Sequence, residues 1–303
     1  MAKNILLTGA TGFIGSQILN RLIEKNYKVV ILLRPTSDIW RIAHLKDNFT
    51  SKIIVDTTIE FDDVFRENNI DTIIHAATEY GRTTQLSSII LGNVIFPIKL
   101  IEAGLRNGLK KFINTDTFLY KYPQYGSYLK NYTDSKKIFK DFLIEYSTQI
   151  QIDSLRLEHP YGEYDSEGKF VSMLIKELLH NRENILFTSG EQKRDFIYVL
   201  DVVEAFIKVL ESDLTPENYF SEYEVGTGIS ISVREFVERV AKVIQSNTRL
   251  DFGALQNREG ETPDSSADIS KLSALGWAPQ YNIESALARI VKIEKTSSKR
   301  PQI

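Results

Sequence analysis

The stretch Thr8-Gly9-Ala10-Thr11-Gly12-Phe13-Ile14-Gly15 decides the fold. It follows the apolar run Ile5-Leu6-Leu7, which reads as a strand, and it opens residues 13–25, whose apolar positions recur at helical spacing. A glycine-rich corner between a strand and a helix is where a parallel βαβ unit seats a dinucleotide. Gly9 permits the tight turn, Gly12 lets backbone approach a pyrophosphate lying on the helix N-terminus, and Gly15 lets the helix pack closely on the strand. Thr11, Phe13 and Ile14 complete the expected cofactor turn. The glycines are spaced three and three, unlike the G-x-G-x-x-G of ordinary dinucleotide dehydrogenases.

The same alternation continues beyond the turn. Short β-branched runs at Val29 to Leu33, Ile53-Ile54-Val55, Thr72-Ile73-Ile74, Phe112-Ile113 and Ser154 to Leu157 read as strands, and amphipathic stretches at 89–104 and 135–147 read as helices. The expected architecture is α/β, a Rossmann-type doubly wound parallel sheet with a smaller α/β C-terminal substrate lobe. Residues 1–158 are assigned to the NADP-binding domain, with a return to it around 195–212, and 159–303 mainly to the second lobe. There the helix beginning at Ser232, with Glu235 three residues on, carries a capping box. The polar residues 295–303 show no periodicity and are expected to fray.

Composition narrows the chemistry. The 303 residues carry a net charge of -3 with both signs interleaved, which recruits neither nucleic acid nor an anionic membrane. There is no cysteine, so disulfides, thiolate nucleophiles and thiolate metal ligands are excluded. His44, His75, His159 and His180 lack ligand spacing, and no metal is expected. The N-terminus shows no signal-peptide pattern and no apolar run reads as a membrane span, so a soluble, cytoplasmic protein is expected.

The end of the second strand selects the cofactor, because an acidic residue there would bind the adenosine ribose and repel a 2'-phosphate. Arg34 stands there instead and favours NADPH over NADH, a solvated surface arginine being the alternative. Asp56, past the third strand, is placed either to meet the adenine amino group or to serve a turn. Tyr132 and Lys136 lie four apart at the start of a helix and share one face. A free tyrosine has a pKa of about 10, and a neighbouring ammonium lowers it toward a useful proton shuttle. A hydroxyl to hydrogen-bond a substrate carbonyl is expected at the end of the fifth strand, with Thr117 favoured and Thr115 as the alternative.

Together these features resemble the extended short-chain dehydrogenase/reductases over nearly the whole chain. Leu155-Arg156-Leu157-Glu158-His159-Pro160-Tyr161-Gly162 is similar to the family's L-R-x-x-N-x-Y-G segment, with His159 where an asparagine more often contacts a sugar nucleotide. Gly190 to Val199, containing Arg194-Asp195-Phe196, is similar to its G-x-x-x-R-D-F-I-x-V segment, whose arginine pairs with the substrate pyrophosphate. Arg258 resembles the second phosphate-binding arginine. The resemblance also assigns Ala76, Ala77 and Lys136 to the cofactor, and puts Asn93 beside the active site unless it is structural.

The resemblance implies a nucleotide diphosphate sugar as substrate and, by analogy, a homodimer through the helices at 89–104 and around Tyr132. Epimerases, dehydratases and reductases share the fold. Thr117 is not followed by the Asp-Glu pair of the dehydratases, and the Cys/His pair of the C3/C5 epimerase-reductases cannot be built without cysteine. Arg34 favours reduction over an NAD-retaining 4-epimerase. The segments 75–81, 114–117, 156–162 and 188–196 are most similar to the CDP-abequose and CDP-paratose synthases, which reduce a 4-keto group. Closely similar dTDP-4-keto-6-deoxyglucose reductases leave the base open. Glu79, Tyr80 and His159 are the candidates for the sugar pocket, with packing as the alternative for Tyr80.

Overall fold

A computed structural model describes residues 3–54, 61–81, 85–122, 129–212 and 219–296. In it Asn4–Thr8 forms β1, buried at every position after Asn4. An unbroken apolar strand needs cover on both faces. Successive side chains supply it, since Ile5 and Leu7 join one core with Ile18, Leu19 and Phe206, while Leu6 joins another with Phe65, Leu100, Phe112 and Phe139.

The chain runs on through α1 (Phe13–Glu24), β2 (Lys28–Leu33), β3 (Thr50–Ile53), α2 (Asp62–Asn68) and β4 (Thr72–His75). Next come α3 (Leu86–Ile90), a π-helical turn at Leu91–Ile95, α4 (Phe96–Arg106) and β5 (Lys111–Thr117). A 3-10 turn, Phe118–Lys121, leads toward α5 (Lys130–Tyr146) and β6 (Gln151–Leu157). The remainder comprises β7 (His159–Tyr161), α6 (Phe170–Leu179), β8 (Asn184–Phe187), β9 (Lys193–Arg194), β10 (Phe196–Tyr198), α7 (Val199–Glu211), β11 (Phe220–Val225), β12 (Ile231–Ser232), α8 (Val233–Ile244), β13 (Arg249–Phe252), α9 (Ser270–Ala274) and α10 (Ile283–Thr296).

Seven strands in the order β11-β6-β5-β4-β1-β2-β3 form one parallel sheet, the Rossmann-type arrangement expected from the sequence. Its two edges are where the reading of strands slipped. β3 lies at Thr50–Ile53 and not at 53–55, because this polar edge strand takes its register from β2, Val30 opposite Thr50. β11 has the sequence FSEYEV and pairs with β6 from Phe220 opposite Ile152 to Val225 opposite Leu157. As an edge strand it mixes apolar Phe220, Tyr223 and Val225 with polar residues and lacks the apolar run that marks β1.

α7 returns to the sheet, its Val202, Phe206 and Leu210 sharing the core of α1. A third cluster, including Tyr161, Leu174, Phe187, Phe196, Phe236 and Leu287, is built from the later elements. Two-stranded pairings of β7 with β10, β9 with β12 and β8 with β13 knit these elements. The capping box at α8 forms as expected, with the Glu235 N–H donating to Ser232 Oγ at 3.1 Å.

One helix departs from the sequence reading. Residues Leu86–Arg106 are continuous and, by length and composition alone, apolar enough to cross a membrane. Of its most apolar window 44% is buried inside the protein, and Ile89, Val94, Leu100 and Ile101 join the core against the sheet. Pro97 explains the π-helical turn. It has no N–H for the carbonyl of Asn93, and its ring crowds that carbonyl, so the helix widens just before it.

Candidate active site

The cofactor turn has the geometry its glycines require. Gly9 adopts φ +70°, and a Cβ there would stand 2.5 Å from the backbone nitrogen of Ala77. A Cβ on Gly15 would lie 2.1 Å from the Gly9 carbonyl oxygen, so α1 rides directly on the turn. Gly12 caps α1 with extended backbone and no side chain bonded to the helix's first N–H groups. That leaves an uncapped helix N-terminus beside a cradle that any side chain would fill, which fits a dinucleotide pyrophosphate.

The structure places most of the other residues expected at the cofactor. Ala76 and Ala77 follow β4, and the Ala77 N–H donates to Thr8 Oγ1 at 3.3 Å. Phe13 and Ile14 pack against the third apolar cluster, carrying the turn into contact with the later elements. Arg34 stands one residue past β2, exposed, with its backbone N–H bonded to Ser37 Oγ. Among the described residues its guanidinium makes no hydrogen bond or ion pair. Asp56 lies outside the described residues. Thr11 offers its carbonyl oxygen to Arg41 Nη1 at 3.2 Å, and Arg41 Nε also donates to the carbonyl of Tyr164 at 2.9 Å.

The catalytic candidates converge at the ends of β5 and the start of α5. Tyr132 is buried, and its hydroxyl lies near those of Thr117 and Thr78. Thr117 Oγ1 accepts the Leu119 N–H at 3.3 Å. Thr115 Oγ1 is buried with no partner among the described residues, which leaves Thr117 as the hydroxyl at the tyrosine. Lys136, 2% exposed, donates from Nζ to the Thr115 carbonyl at 2.9 Å.

Electrostatics set the protonation states. Burial raises the Tyr132 pKa well above the usual phenol value, Tyr80 and Asp116 add to the rise, and the two threonine hydroxyls oppose it. Burial also lowers Lys136 to about 8, against the opposing pull of Asp116. Burial thus reverses the expectation that Lys136 lowers the Tyr132 pKa, and a tyrosine kept protonated can serve as a proton donor.

Asn93 sits fully buried in the widened turn. Its Oδ1 accepts the Glu79 N–H at 2.7 Å, while Nδ2 donates to the Glu79 carbonyl at 2.8 Å and to Ser135 Oγ at 3.0 Å. It thus clamps the segment after β4 against α5. Glu79 in turn accepts the N–H of Gly81, and the Tyr80 ring stacks on Tyr132 with Lys169 Nζ 4.2 Å from its centre.

From Thr117 the chain steps to Phe118, whose ring centre is 4.5 Å from that of His159. His159 pairs across β7 and β10 with Phe196, two residues from Arg194. Its Nδ1 is buried without a hydrogen-bond partner, and burial lowers its pKa, so the imidazole is neutral. Arg194 is buried and donates to the carbonyls of Lys193 and Thr262 and to Glu261 at 2.8 Å. That ion pair ties β9 to the exposed segment bearing Arg258.

Comparison with known proteins agrees with this geometry. The model of the NAD dependent epimerase/dehydratase family matches residues 5–226. The chain belongs to that family. Relatives in it include CDP-abequose synthase of Salmonella muenchen, 35% identical over 97% of this chain and 98% of that one, and CDP-abequose synthase of Salmonella typhimurium, 32% identical over 96% and 98%. UDP-glucose 4-epimerase of Thermotoga maritima, solved with UDP-glucose, superposes with a TM-score of 0.83 at 22% identity, covering 98% of this chain and all of that one. This epimerase/dehydratase family member is therefore an NAD(P)-dependent enzyme of the extended short-chain dehydrogenase/reductase type.

Reading the sequence for motifs passed over Thr78, Arg41, Asp116, Tyr164 and Lys169. Thr78 lay inside the quoted segment 75–81, but a single threonine carries no signal of its own. Arg41, Tyr164 and Lys169 meet the site only through loops, whose paths periodicity does not reveal.

Proposed function

We propose that the protein is an NADPH-dependent reductase of a nucleotide-linked 4-keto-6-deoxyhexose, and that the best substrate is CDP-4-keto-3,6-dideoxyglucose, reduced to CDP-abequose or CDP-paratose for surface polysaccharide. The observation that carries the direction of reaction is the burial of Tyr132 beside the end of β5, which raises its pKa and keeps it protonated. A proton acceptor would be wanted to start an oxidation, and a donor to complete a reduction. The similarity to two CDP-abequose synthases over nearly their whole length supports the sugar class.

Bound NADPH would supply the hydride to the carbonyl carbon. Thr117 holds the carbonyl oxygen, and Tyr132 passes its proton there as the alcohol forms. The Lys136 ammonium stabilises the tyrosinate left behind. In this reading Arg34 would meet the 2'-phosphate, Arg194 and Arg258 the diphosphate, and Glu79, Tyr80 and His159 the sugar. Residues 1–158 with the 195–212 return hold the cofactor and 159–303 mainly the sugar nucleotide. Exposed apolar residues in two adjacent helices, Leu91 and Ile95 with Ile138 and Phe142, support a homodimer joined there. A cytoplasmic location suits a user of the cell's NADPH.

The test is NADPH oxidation, followed optically, with CDP- and dTDP-linked 4-keto sugars, and NMR of the product's C4 configuration. Turnover with the CDP sugar is expected. Turnover with the dTDP sugar alone would make the enzyme a dTDP-4-keto-6-deoxyglucose reductase. Stoichiometric bound NAD with no net NADPH oxidation would overturn the reading in favour of a 4-epimerase.

A further inference from the structure

Asp116 is an acid that the mechanism above leaves unused. It lies between Thr115 and Thr117 at the end of β5 and is 3% exposed. Three groups donate to its carboxyl oxygens: the Thr117 N–H at 2.8 Å, Ser154 Oγ at 3.3 Å, and the Tyr120 hydroxyl in a short contact. The Thr117 N–H can only donate, so it favours the carboxylate, as do Lys136 and the Tyr120 hydroxyl, and they work against burial, which leaves the Asp116 pKa raised.

The surroundings of this anion are cationic on one side and neutralised on the other. α5 contributes Lys136 and Tyr132, with Lys140 resting 5.6 Å from the centre of the Tyr120 ring. β6 contributes Arg156, 4.9 Å from the same ring. Arg156 is already paired with Glu222 and Glu224 of β11, and Lys140 with Glu222. On β4, His75 faces Lys136 as a neutral imidazole. Lys136 itself has no carboxylate within ion-pair distance among the described residues, and its Nζ bonds the carbonyl one residue before Asp116. A buried ammonium held only by a carbonyl needs a nearby anion to remain charged. Among the described residues, Asp116 is the carboxylate that acts on the Lys136 charge.

We propose that Asp116 is a positioning residue, resting on the reductase reading above, whose carboxylate keeps the Lys136 ammonium charged beneath Tyr132 without touching substrate or cofactor. Tyr120 and Ser154 hold that carboxylate in place. Loss of the negative charge releases the Lys136 proton at lower pH.

The test follows the Lys136 side chain by NMR of protein labelled with 13C in lysine, the signal assigned with Lys136→Met. In Asp116→Asn the lysine should titrate about one pH unit below the wild-type value, and the alkaline limb of kcat should move down with it while Asp116→Glu restores it. An unchanged titration, or a uniform drop in kcat with the limb in place, overturns the proposal. Should Asp116→Asn not fold, Tyr120→Phe decides. The Lys136 signal should show a second, acid inflection as Asp116 takes a proton, shifted to higher pH in Tyr120→Phe, and the lack of that inflection overturns the proposal equally. Because the NMR titration needs no turnover, failure of the reductase reading in the NADPH assay is told apart from failure of this one.

Discussion

The ring of Tyr80 stacks on the ring of Tyr132, with centroids 4.9 Å apart and 27° between their planes. Tyr132 lies at the head of α5, whereas Tyr80 arrives from the segment after β4 that Asn93 clamps. An aromatic pair of this kind contributes about 0.5–1.5 kcal/mol beyond its buried area, and here it fixes the plane of the Tyr132 ring. Tyr80→Ala is expected to lower kcat by about two- to tenfold, with Tyr80→Phe close to wild type. Steady-state kinetics on the two variants separate ring from hydroxyl, since an equal loss in both would assign the effect to the hydroxyl.

His75 closes β4 fully buried, 2.8 Å from Thr8 Oγ1 through Nδ1, with its ring stacked on Phe112. Burial holds its pKa well below the ordinary imidazole value, and the Lys136 charge lowers it further. In the unfolded chain the imidazole takes a proton near pH 6.5, so below that pH the unfolded state binds more protons than the folded one. Stability from this residue is complete above pH 6.5 and is lost as pH falls. The melting temperature should decline between pH 7 and 5, and His75→Gln should flatten that slope while lowering the plateau.

What could be read without coordinates follows where local rules dictate the structure. Gly9, Gly12 and Gly15 announced the central strand, the corner and the helix together, since no side chain fits at Gly9 or Gly15. Tyr132 and Lys136 share a helix face by spacing alone. The sheet edges were less legible, because β3 and β11 carry mixed residues whose register comes from β2 and β6. Long-range contacts were not legible at all. Nothing in Arg41 by itself tells that it meets Thr11, thirty residues away, and Tyr164, and Asn93 could not be given its grip on Glu79 until Pro97 had widened the helix around it.

Arg41 joins the cofactor turn to the loop between β7 and α6 through the Thr11 and Tyr164 carbonyls, and its guanidinium lies 4.4 Å from the centre of the Trp40 ring. Hydrogen bonds from a charged group contribute about 1.5–3 kcal/mol each. Without them the turn and the loop lose their shared brace, so Arg41→Ala should weaken NADPH binding by about tenfold with a smaller change in kcat. Arg41→Lys should recover little, because an ammonium cannot span two carbonyls as a planar fork does. Fluorescence titration with NADPH measures both.

At the opposite end of β5 from Thr117, Lys111 Nζ lies 3.2 Å from Asp153 Oδ2 on β6, with side-chain exposures of 4% and 0%. Lys111 also donates to the carbonyls of Val209 and Ser212, fastening the end of α7 to the sheet. Burial raises the Asp153 pKa and the lysine opposes it, so the carboxylate depends on its partner. Lys111→Met should lower stability by about 3–5 kcal/mol, the usual result of leaving one charge of a buried pair alone. Replacing both, as Lys111→Met with Asp153→Leu, should recover much of that loss, since the stranded charge is then gone. Urea unfolding midpoints test the difference. The folded fraction of either variant should keep its kcat, because the pair sits toward the N-terminal ends of β5 and β6, whereas Thr117 lies at the C-terminal end of β5.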